Sequence, residues 1–203
     1  METLIQTMPG YRLQEYMMVL SPHEELRKKI MTVRKEFSET YHSYHNGWGK
    51  PHLMLARFNQ YEMMEERVVN RLKTIAMSFH PIKVELKDFG SYPSHSIFIQ
   101  VLSRELIKEL IREIREAQRL LKPDNDHKPY FADDPHVIVS AKLLPWQYEK
   151  GWLDYSHRHF TGRFIASDML LLKRRMGEKA WQILYRLAFQ NLPVNTKQGE
   201  LFS

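Results

Sequence analysis

The chain contains no cysteine, which excludes a disulfide framework, thiolate catalysis and cysteine-ligated zinc, and suits a reducing cytoplasm. It also lacks any apolar run approaching the roughly 18 residues of a membrane span, so neither a span nor a membrane partner is expected. The opening stretch METLIQTMPGYRLQEYMMVL has no basic start followed by an unbroken apolar core, and no signal peptide is read there. There is no glycine-rich phosphate loop and no carboxylate pair at a useful spacing. No linker rich in Pro, Gly or Ser divides the 203 residues. The expectation is one bilobal domain over 1–203, with a frayed polar tail at about 192–203. What is present is ordinary for a folded chain: 43% hydrophobic and 27% charged residues. The formal net charge of +6 raises the local concentration of anions such as phosphate esters and RNA.

Three helices are legible from periodicity. Ser21, Pro22 and Glu24 form a helix start, and Leu26, Ile30, Val33 and Phe37 recur at helical spacing to about Tyr41. A second helix carries Met64, Val68, Leu72, Ile75 and Phe79 and is closed by Pro81. A third, capped by Ser103, carries Leu106, Leu110, Ile114, Ala117 and Leu121. Strand-like runs fill much of the rest: Glu15 to Leu20, Pro51 to Phe58, Ile82 to Leu86, Ser96 to Leu102 and Pro135 to Leu144. A closing hairpin runs from Phe164 to Arg174 and returns from Trp181 to Phe189. Lys122 to Lys128 reads as a mobile loop. Helices and antiparallel strands segregate, so the fold class is α+β.

The most informative feature is a weak internal repeat, PHLMLA at Pro51 and PHVIVS at Pro135. Each is proline, then histidine, then a strand. Alternation along a strand puts His52, Met54 and Ala56 on one face, and His136, Ile138, Ser140 and Lys142 on another; Arg57 falls opposite His52. Equivalent strands from two lobes can bring such faces together across a cleft. Two imidazoles there supply what phosphodiester chemistry needs near neutral pH: one to take a proton from the attacking oxygen, one to give a proton to the leaving oxygen. No metal or cofactor is required.

With these motifs the chain resembles the 2H phosphoesterase superfamily, which includes 2′-5′ RNA ligase-like proteins and cyclic phosphodiesterases. The resemblance covers roughly Tyr16 to Phe189, including the Pro81 to Leu102 strand pair and the segment from Trp146 into the final hairpin. It implies a two-lobed fold, antiparallel sheets lining a central cleft with helices outside, and His52 and His136 as the catalytic pair. It implies a hydrolase opening 2′,3′-cyclic or 2′-5′ phosphodiester bonds of an RNA terminus or small nucleotide, without metal. The family pattern has Thr or Ser two residues after each histidine, and here those positions hold Met54 and Ile138. Neither side chain donates a hydrogen bond, and losing one donor aimed at developing charge costs about 3–4 kcal/mol. Ser140 and Lys142 are the polar candidates to stand in at the phosphate. Two readings follow, a phosphodiesterase and a phosphate- or RNA-binding protein that kept the histidines.

The other candidates read as structural. His42 and His45 have metal-ligand spacing but no supporting carboxylate. His157 and His159 share a strand face and read as surface residues. His95 follows a Tyr-Pro turn that the repeat does not match. Trp48, Trp146, Trp152 and Tyr92 offer rings for base stacking, with packing as the default for each. The charged run from Lys108 to Arg119 reads as a solvated helix face.

Overall fold

The computed structural model describes residues 10–43, 49–93 and 95–192. From 193 onward, the tail expected to fray lies outside the described residues. In chain order the elements are β1 (Leu13–Leu20), α1 (Glu24–Tyr41), β2 (Leu53–Tyr61), α2 (Glu65–Ser78), β3 (Ile82–Tyr92), β4 (Ser96–Val101) and α3 (Arg104–Glu116). The order continues with β5 (Tyr130–Phe131), β6 (His136–Ala141), α4 (Pro145–Tyr155), β7 (Thr161–Ala166), β8 (Asp168–Arg175) and β9 (Gln182–Ala188). Two antiparallel sheets result, one ordered β5-β2-β1-β8-β9 and the other β6-β4-β3-β7. Helices α2 and α3 pack on the first sheet, through β9 and β2, while α1 and α4 pack on the second. The class is α+β, as the segregation of elements predicts.

One buried cluster runs through both sheets, from Tyr16, Met18 and Leu20 on β1 to Ile97, Ile99, Val137 and Val139 on β4 and β6. Helix α1 buries Leu26, Ile30, Phe37 and Tyr41 on the face the periodicity marks, and Arg34 with them. Its cap differs from expectation. His23 sits at the N-cap and its Nδ1 accepts from the Leu26 amide at 3.4 Å, whereas the Ser21 hydroxyl donates to the Pro22 carbonyl. Ser103 likewise makes no cap bond; its hydroxyl accepts from the Glu85 amide at 2.9 Å and ties α3 to β3.

The stretch after β6 is the main departure. Pro145 to Tyr155 is a helix, with proline in its first turn and the Gln147 side chain accepting from the Leu144 amide. Gly151 in its middle lies against Phe37, and an added Cβ would stand 2.8 Å from that ring. The close approach of two helices explains a residue that otherwise weakens one. His157 and His159 therefore follow a helix rather than sharing a strand face. The closing hairpin is also divided. β7 pairs with β3 in one sheet, and β8 pairs with β1 and β9 in the other, so the chain changes sheets at Ser167.

Candidate active site

His52 and His136 enter equivalent strands, and both line one cavity of about 580 Å³ between the sheets. Their rings are held alike. His52 Nδ1 donates to the Lys50 carbonyl at 2.9 Å, and His136 Nδ1 donates to the Asp134 carbonyl at 2.7 Å. A carbonyl only accepts, so each Nδ1 carries the hydrogen, and in the neutral ring each Nε2 carries the lone pair. Burial pushes both imidazoles below their ordinary pKa. For His52 the Lys50 bond opposes this and the Arg34 charge adds to it. For His136 the Asp134 carbonyl and charge oppose it, and Arg104 adds to it. Tyr92 and Phe98 support the His136 ring at 5.3 and 4.4 Å between centroids. The Tyr92 hydroxyl donates to Asp134, which also pairs with Arg104.

Both histidine strands carry a bulge at the same place. Met18 and Val19 of β1 face Ala56 and Met54, leaving Leu55 as an extra residue on β2. Ile97 and Phe98 of β4 face Ser140 and Ile138, leaving Val139 extra on β6. A bulge breaks the two-residue alternation, and this moves Ala56, Arg57 and Ser140 off the faces that alternation predicts. Met54 and Ile138, before the bulges, line the cavity as expected. Ser140, after its bulge, turns inward; it is 0% exposed and its hydroxyl bonds Ser43 at 2.7 Å. It is a core residue and does not line the cavity. Lys142 lies past the strand end, exposed and at φ 55°, and does not line the cavity either. Arg57, expected on the opposite face, is brought round to the cavity.

The cavity holds residues that periodicity and motif spacing do not single out. Glu15, buried on β1, accepts from Arg57 Nε at 2.6 Å and from Arg174 Nε. Burial pushes its carboxyl up, but the bonds from Arg174 and Arg57 outweigh that and hold it below the ordinary value. Trp181 lies 4.3 Å from the Arg174 guanidinium. Arg34, 5% exposed, reaches the cavity from α1 and donates to the Ile138 carbonyl at 2.9 Å and the Gly49 carbonyl at 3.1 Å. Its signal in the sequence is an arginine within the apolar stripe Leu26, Ile30, Phe37 and Tyr41. Arg174, inside the basic run Lys173 to Arg175, gives none. Of the aromatic candidates, Tyr92 serves His136, Trp152 packs on the core and Trp146 is exposed on α4. Trp48 and His45 lie outside the described residues, and His42 ends α1 in a left-handed conformation. Among the described residues no group of three or more His, Cys, Asp or Glu could hold a metal.

Residues 22–178 match the 2′-5′ RNA ligase superfamily. The chain belongs to that superfamily. Its fold is that of the 2H phosphoesterases. LigT of E. coli complexed with 3′-AMP superposes with a TM-score of 0.63 at 14% identity, over 88% of this chain and 99% of LigT. A protein of Thermus thermophilus gives 0.57 at 12% identity, over 87% of this chain and 98% of that one. LigT has also been crystallised with phosphate, ATP and NADP+. No curated protein sequence matches the chain. Among the described residues no helix is long and apolar enough to cross a membrane.

Proposed function

We propose that this superfamily member is a metal-independent phosphodiesterase of low turnover, acting in the cytoplasm on 2′,3′-cyclic or 2′-5′ bonds of small nucleotides or RNA termini. The observation that carries the reading is the matched pair of imidazoles, each with Nδ1 tied to a carbonyl, lining one cavity. A neutral His at one side of the phosphate takes the proton of the attacking oxygen on Nε2. A protonated His at the other gives the Nε2 proton to the leaving oxygen, and the reverse reaction exchanges the roles. Complexes of LigT with 3′-AMP and phosphate support a nucleotide phosphate as the ligand class.

A second reading, a phosphate or nucleotide binder without turnover, is favoured by Met54 and Ile138, which line the cavity where the family pattern puts hydroxyls. A turnover assay on 2′,3′-cyclic nucleotides separates the two. The phosphodiesterase reading requires one histidine protonated and one neutral. Both pKa values lie below the ordinary value of about 6.5, so the singly protonated pair is most abundant on the acid side of that value. The expected kcat/KM profile is a bell with its maximum below about pH 6.5, falling as both rings lose their protons at higher pH and unchanged by EDTA. A rate that EDTA abolishes, or one that stays flat from neutral to alkaline pH, contradicts the scheme. No turnover with phosphate binding intact selects the second reading.

A further inference from the structure

Arg34 is buried, and among the described residues no anion lies beside its charge. Its guanidinium donates to the carbonyls of Ile138 and Gly49, and among the described residues no carboxylate pairs with it. Residues 44–48, which precede Gly49, contain neither Asp nor Glu. Burial lowers its pKa to about 10, which leaves it charged at neutral pH. Two neutral carbonyls do not offset the cost of burying a full charge. The other cavity arginines differ, since Arg57 and Arg174 share the Glu15 carboxylate. A guanidinium has five N–H donors; among the described residues two are used, and Arg34 lines the cavity. The two carbonyls also fix its position. One belongs to Ile138, the residue occupying the hydroxyl position of the second motif, and the other lies three residues before His52.

We propose that Arg34 holds the anionic phosphate oxygens in this cavity, taking over the charge-holding part of the role that Met54 and Ile138 cannot fill. The proposal rests on the cavity being a phosphoester site, but it does not require turnover. It assigns the ligand class by charge: an anionic phosphate ester or inorganic phosphate, not a neutral analogue. A fork of planar donors suits phosphate oxygens, and a phosphate seated there supplies the missing counter-charge.

The test uses the full chain with inorganic phosphate as the probe, read by thermal denaturation and by titration calorimetry. Wild type is expected to gain Tm as phosphate is added. Arg34→Met is expected to lose that response, with an affinity about tenfold weaker or more. Without phosphate it is expected to melt no lower than wild type, because an apolar chain replaces an uncompensated charge. A purely structural Arg34 gives the opposite pattern: a lower melting point and an undiminished phosphate response. Should Arg34→Met fail to fold, Arg34→Lys keeps the charge but loses the planar fork, and the same tenfold weakening is expected of it. Phosphate affinity unchanged in a folded Arg34→Lys, or no phosphate response in wild type, overturns the proposal. His52→Ala and His136→Ala separate this inference from the phosphodiesterase reading. If turnover is unaffected by them while Arg34→Met loses phosphate, the catalytic reading fails and the anion site stands.

Discussion

His52→Ala and His136→Ala are each expected to lower turnover of 2′,3′-cyclic nucleotides by about 10²-fold or more, the contribution typical of a positioned acid or base. The two losses should not add. In the proposed reaction one histidine removes a proton and the other delivers one, so losing either partner disables the pair. Each ring bonds a backbone carbonyl outside the strand ladders, and His136 also packs on Tyr92 and Phe98, so replacement leaves the ladders intact and the variants should remain folded. The measurement is kcat/KM beside Tm. Turnover that survives in both folded variants removes the histidines from the chemistry.

The opposite sign is expected of Met54→Thr combined with Ile138→Thr. Both side chains line the cavity with the histidines, so each threonine places a hydroxyl within it. One donor aimed at developing charge contributes roughly 10²–10³-fold in rate, and the double variant is expected to gain about 10²-fold or more. The cost is packing. Met54 touches the small apolar cluster of Met17, Val19 and Leu170, and trimming such side chains costs about 1–3 kcal/mol. Both positions are only half-buried, which favours the lower end. A wild type that already turns over rapidly, with a folded double variant no faster, would show that other donors stabilise the transition state. The histidine replacements are best repeated in this faster background, where a full loss is measurable.

The histidine pair is legible because each motif sits at a strand entrance, where alternation still holds: His52 and Met54, His136 and Ile138 face the cavity as predicted. Three residues further on the pattern fails. Leu55-Ala56 and Val139-Ser140 are small or apolar pairs that alternation treats as regular strand, and nothing in their composition marks an inserted residue. The bulges therefore send Ser140 into the core and bring Arg57 to the cavity. Helix α4 is hidden by its aromatic content and by Gly151, whose reason is contact with Phe37 rather than local propensity. Arg34 is concealed differently. A charged residue within an apolar stripe is usually a long side chain reaching solvent, and only the carbonyls of Ile138 and Gly49 reveal that this one stays inside.

The central claim is that His52 and His136 flank one phosphate with their Nε2 atoms while Nδ1 stays bound to the backbone. Nitrogen-15 NMR of histidine-labelled protein during a phosphate titration tests it directly. The expected result is that the Nε2 signals of both residues move along one saturation curve with a single Kd, and both Nδ1 atoms remain protonated throughout. A shift at only one of the two histidines, two unrelated affinities, or loss of the Nδ1 proton would contradict it.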